Sequence, residues 1–242
     1  MRFPKLLSVT LVFVPALVLG AAACSSESPS VQASNEAPRT AATPNAKLVF
    51  AHPDNAAAKA SLETLAKVVG QGDPEARGFH SVDEARSAIP AAGLPMYMVG
   101  LDGLKAYGAG QDPHALLIDQ EAVMFPITVG GDVRSAVVLK KRAGDVWEAA
   151  SFGHKNIAKA AHTSRTGVFT ARSISDTTSF FVVGIPTLGA RFLGHDENGQ
   201  LMLTPLNDVP GTSLHAGQTQ NANAVLAVLH PLALTTRADV PN

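Results

Sequence analysis

Residues 123–152 read VMFPITVGGDVRSAVVLKKRAGDVWEAASF, and the period of this stretch decides the fold class. Three β-prone runs, 123–129, 133–139 and 146–152, are separated by Gly130, Gly131 and Asp132 and then by Arg142, Ala143, Gly144 and Asp145. Short apolar runs between such turn residues predict a three-stranded antiparallel meander. Pro126 has no N–H to give to a ladder, so its strand is expected at a sheet edge or at a bulge.

Upstream, Ala58, Leu62, Leu65, Ala66 and Val69 share one face of a 3.6-residue repeat, with Gly70 placed to end the helix. Residues 47–51 read as a first strand, and His52, Pro53 and Asp54 as the turn after it. Ser81 and Glu84 have the spacing of a capping box, which predicts a second helix ending before Pro90. Asp102 is a good N-cap for a short helix bounding a glycine-rich loop through Gly108, Gly110, Asp112 and Pro113.

Downstream, a helix with Ile157, Ala158 and Ala161 inward is followed by strands at 168–174 and 180–185. Residues 196–199, DENG, read as a hairpin turn with Asp first and Gly last, between Phe192, Leu193 and Leu201, Met202, Leu203. Ala222, Val225, Leu226 and Leu229 mark a last helix that stops at Pro231. Helices, then strands, then both again is an α+β order, expected to give an antiparallel sheet with helices packed mainly on one face. Residues 96–104, MYMVGLDGL, and 180–188, FFVVGIPTL, match at Val, Gly and Leu. A duplicated αβ unit would produce that match, and so would chance.

The chain begins as an export precursor would. Arg2 and Lys5 precede an apolar run over 6–19, and Gly20, Ala21, Ala22 and Ala23 lead to Cys24. The apolar run is shorter than the roughly 20 residues a spanning helix needs, and Pro15 interrupts it. Residues 19–24 resemble the lipobox of bacterial lipoproteins, with Ala21 where Leu is commonest. The resemblance implies cleavage before Cys24 and acylation of its thiol, palmitate included. Ala21 and Ala23 also satisfy the A-x-A rule, so secretion or a soluble periplasmic form is the alternative. Cys24 is the only cysteine, which rules out an internal disulfide and thiol catalysis elsewhere. The expected organisation is a signal peptide over 1–23, a lipid-anchored tether over 24–46 and one α+β domain over 47–242. Ser, Ala, Pro, Asn and Thr dominate the tether, a composition that cannot build a core.

The charged fraction is 16%, the net charge is −1, and no basic cluster exceeds Lys140, Lys141 and Arg142. These values argue against a nucleic-acid partner. There is no G-x-S-x-G elbow, S-x-x-K, H-E-x-x-H, P-loop or G-x-G-x-x-G. No cofactor is therefore expected. Eight histidines, His52, His80, His114, His154, His162, His195, His215 and His230, include no pair at metal-ligand spacing. Next to His195, the residues Asp196, Glu197 and Asn198 form the polar tip of the expected hairpin and are the candidate binding residues. Trp147 is read as core. The functional expectation is a non-enzymatic lipoprotein of the cell envelope, held to the membrane through Cys24, that binds a protein, peptide or envelope component. The alternative is an exported hydrolase, with or without the help of a metal, whose histidines and carboxylates meet only in the fold.

Overall fold

The computed structural model describes residues 55–172 and 179–237. The expected signal segment, Cys24, the tether and the strand at 47–51 lie outside them. In chain order the helices are α1 (Asn55–Ala60), α2 (Leu62–Gly70), α3 (Val82–Ser87), α4 (Leu101–Lys105), α5 (Lys155–Arg172) and α6 (Ala222–Thr235). The strands are β1 (Ile89–Pro90), β2 (Leu94–Met98), β3 (Ile118–Val129), β4 (Asp132–Lys141), β5 (Trp147–Gly153), β6 (Phe180–Ile185), β7 (Ala190–Glu197), β8 (Gln200–Pro205) and β9 (Gln220–Asn221). All strands join one sheet in the order β5-β4-β3-β2-β6-β7-β8-β9, with β1 beside β3. Every pairing is antiparallel except that of β2 with β6. The fold is α+β.

Alternation along the strands divides the core between the two sheet faces. Val123, Phe125 and Ile127 of β3, with Val137 and Leu139 of β4, pack under α1 to α3. The register carries the same face through Tyr97 to Val183 and Phe192, which pack under α4 and α6. On the opposite face, α5 lies over Leu94, Met124, Val138, Val182 and Leu193. Most helices thus share one face, as expected, and α5, the longest, covers the other. Trp147 is half-buried against the α1 to α3 core.

The meander forms as read; its first strand is not an edge, but the register of its pairing with β4 shifts between Ile127 and Thr128, close to Pro126, as the bulge alternative expects. β3 lies between β4 and the pair β1 and β2, and the long edge is β5. In an antiparallel strand a residue's N–H and C=O point the same way. The Pro126 carbonyl accepts from the Ala91 N–H at 2.8 Å, so its missing N–H faces the break between β1 and β2. Proline is tolerated there because no ladder partner waits at that point.

Four other expectations are corrected. Residues 168–172 continue α5 and are not strand. Val168 stays on the buried face with Ala158 and Ala161, and the Thr166 and Thr170 hydroxyls bond carbonyls four residues back, so packing outweighs β propensity. α6 runs through Pro231 to Thr235, because Pro231 and Ala227, whose carbonyl loses its donor, both sit on the exposed side. The β7–β8 turn is tighter than read, with only Asn198 (φ 54°) and Gly199 (φ 76°) between the strands. Two consecutive positive φ values match the twist of a two-residue Asn-Gly hairpin. α4 is capped by Gly100, which leaves Asp102 inside its first turn.

The two similar segments, 96–104 and 180–188, fall on β2 and β6, the neighbouring parallel strands, with Met96 opposite Val182. Each strand leads into a helical turn, α4 or the short turn Pro186–Leu188, then into three strands stepping outward, then into α5 or α6. The two meanders step toward opposite edges, which relates the halves by an approximate two-fold axis along the central strands. Such an axis exchanges the sheet faces, and α5 and α6 do lie on opposite faces. The matched residues do not follow that axis, because Tyr97 and Phe181, like Val99 and Val183, lie on one face of the sheet, so the topology repeats but the short sequence match does not carry a duplication.

Candidate functional site

The hairpin tip is bound on both faces of the sheet. On the α6 face, Asp196 Oδ1 stands 2.7 Å from His114 Nε2, and His114 Nδ1 stands 2.7 Å from Asp112 Oδ1. Asp112 also caps the turn Pro113–Leu116, accepting from the His114 backbone N–H at 3.0 Å. The Asp196 hydrogen bond pushes the imidazole up to about 9; burial opposes this, and Asp112 reinforces it. Burial pushes the Asp112 carboxyl up, but the bonds to His114 outweigh it and leave that group below its ordinary range. Both ring nitrogens face carboxylates, so His114 is an imidazolium with no lone pair to offer a metal or a proton. Beside it lies a hollow of only about 110 Å³, reaching Gln200, Asn221 and Asn223. The Tyr107 hydroxyl meets Asn223 there.

On the α5 face, Glu197 pairs with Arg172 and stands 3.8 Å from His195 Nε2. His195 is fully buried, packs at a tilt against Phe180 with ring centres 5.2 Å apart, and among the described residues has no hydrogen-bond partner on either ring nitrogen. Burial holds it below the ordinary imidazole range, and Glu197 offsets only part of that. Below about pH 6.5 the unfolded chain takes up the proton more readily than the folded one, so stability is lost as pH falls through that value. His195→Leu removes two unpaired polar atoms and should melt no lower than wild type at pH 7. Its advantage should widen at pH 5. A clear loss at pH 7 in a thermal melt would mean that the imidazole makes a bond the fold needs.

Of the candidate tip residues, then, Asp196 and Glu197 are engaged in ion pairs and Asn198 shapes the turn. The other described histidines are dispersed, and His52 lies outside the described residues. His80 donates its backbone N–H to Glu84, His215 lies 3.7 Å from Asp208, and His230 Nε2 meets the Lys105 carbonyl at 3.1 Å. Among the described residues no three His, Cys, Asp or Glu side chains stand where they could share a metal ion.

The open space lies elsewhere, where β5 turns into α5. Gly153 (φ 114°) and His154 (φ 55°) make that turn in positive-φ conformations. Two hollows meet at His154 and Lys155. The larger, about 530 Å³, lies between the start of α5 and the β6–β7 turn, lined by Asn156, Ile157, Gly189, Arg191, Leu206 and Asn207 besides those two. The smaller, about 380 Å³, runs past Glu75, Arg77, Gly78 and Ser135. His154 Nε2 is 3.2 Å from the Ser151 hydroxyl, but among the described residues no carboxylate orients the ring, so the third member of a nucleophilic triad is missing. Sequence reading passed over this region because its residues lie far apart in the chain and match no motif.

No family model, curated protein or solved structure matches this chain. Among the described residues no helix is long and apolar enough to cross a membrane.

Proposed function

We propose that this chain is an exported, lipid-tethered envelope protein that acts by binding, with the hollow at the start of α5 as its ligand site. The observation that carries this reading is the hollow itself. Its volume of about 530 Å³ falls within the range of roughly 300–1,000 Å³ usual for small-molecule sites. It has an apolar floor of Ile157 and Leu206 beneath polar side chains from α5 and β7. Among the described histidines, His114 is held between two carboxylates and His195 is buried, while His154, at the edge of the hollow, has the Ser151 hydroxyl beside it and no orienting carboxylate among the described residues. The expected partner is an envelope component or a peptide end small enough to enter.

The tether carries the address. Cys24→Ala should abolish acyl labelling and release the protein from the membrane fraction, because one residue bears the whole anchor. Mass spectrometry of the mature protein is decisive, and an unmodified Cys24 thiol would defeat the lipid reading. For binding against turnover, the intact protein is assayed with a panel of esters, amides and phosphoesters, with and without zinc. No turnover is expected. Turnover that vanishes in His154→Ala while the melting temperature holds would replace the binding reading with the hydrolase one.

A further inference from the structure

We infer that the hollow beside α5 takes an anionic ligand, a carboxylate or phosphate ester whose head is gripped by Arg191 and Lys155 and whose body rests on Ile157 and Leu206. This rests on the reading that the hollow is the ligand site. Its lining holds two full positive charges and no carboxylate. Among the described residues neither Lys155 nor Arg191 has an acid within ion-pair distance, and both line the same hollow. Two cations from different elements, sharing a concave surface with no counterion of their own, repel each other unless an anion enters between them.

The surroundings define the ligand further. Arg191 lies on the α5 face of the sheet, in register with Gly184, so no side chain from β6 stands between its stem and the start of β5's neighbouring helix. A planar guanidinium there offers paired donors to two oxygens of one head group. The Lys155 stem passes beside Gly78, where an added Cβ would come within 3.3 Å of Lys155 Cδ, so the glycine leaves the space that the stem occupies on the side of the smaller hollow. Asn207 Nδ2 donates to the Gly189 and Asp208 carbonyls at 3.4 and 2.9 Å, which turns its Oδ1 into the free acceptor. A ligand with an N–H or O–H near its charged head would satisfy that acceptor.

Calorimetry on the intact, acylated protein in neutral detergent tests this with phenyl phosphate, phenylacetate and uncharged phenylacetamide as probes. Both anions should bind at least about tenfold more tightly than the amide, and their affinity should fall as salt rises. Arg191→Gln should weaken the anions by roughly ten- to a hundredfold, the loss of a charge-assisted hydrogen bond. Lys155→Gln should have a smaller effect, and Lys59→Gln, an exposed cation on α1, should have none. The ratio of phenyl phosphate to phenylacetate tells a phosphate ester from a carboxylate. Equal binding of the amide, lost in Leu206→Arg, would overturn the anionic class and leave the ligand site standing. Anion binding unchanged in Arg191→Gln would overturn the inference, and binding of no probe would overturn it together with the site.

Discussion

Gly194→Ala is expected to destabilise the domain by about 2–3 kcal/mol, the usual cost of forcing an extra methyl into a packed core. Gly194 sits in β7 opposite Phe181 of β6, and a Cβ there would come within 2.4 Å of the Phe181 ring. That ring is buried beneath α4 and α6 and packs edge-on to Tyr97 at 5.3 Å, so it has nowhere to retreat. For a domain of this size the melting temperature should fall by roughly 5–10 °C. The second variant tests the cause. Phe181→Leu is destabilising alone, but in the double variant it makes room for the methyl, so the two losses should add to less than their sum. Strict additivity in thermal or urea melts would mean that the strand tolerates a side chain at 194 and that the contact with Phe181 is not the reason.

His114→Ala should cost about 1–2 kcal/mol at pH 7, with a characteristic dependence on pH. The rise from the ordinary 6.5 to about 9 sets an upper limit at 1.36 kcal/mol per pH unit. Side chains of Asp112 and Asp196 that are 36% and 45% exposed reduce it through solvent screening. Because the folded-state value is the raised one, the contribution is fully present below about pH 6.5 and disappears as pH rises through about 9. Wild type and His114→Ala should therefore converge in melting temperature between pH 7 and 10. A gap that stays constant over that range would show that the ring acts by packing and not by its charge.

The same residues show how far a sequence reading reaches. The meander over 123–152 and the capped helix α3 were legible because their signals are local, although β3 begins five residues earlier than read. Turn residues stand at the strand ends, apolar residues recur at fixed spacing, and Ser81 accepts from the Glu84 N–H at 3.0 Å as its motif predicts. The errors arose where a distant contact outweighs a local tendency. β-prone Val168 and Phe169 were drawn into α5 by the sheet beneath them, whereas Pro126, inside the sheet, stands close to the register shift at Ile127 and Thr128 that was the expected alternative to an edge.

The sequence alone determined the α+β class, the place of the β7–β8 hairpin and the polar character of its end, since each depends on residues within a few positions of one another. Only the tertiary structure decided what those residues do. Asp196 meets His114 across 82 positions, and a parallel pairing of β2 with β6 brings the two halves of the chain together. Arg191 and Lys155 reach one hollow because β7 and α5 share a sheet face. Ion pairs and cavities depend on distances in space, and a chain folded through non-local strand pairing sets those distances by topology and not by spacing along the sequence.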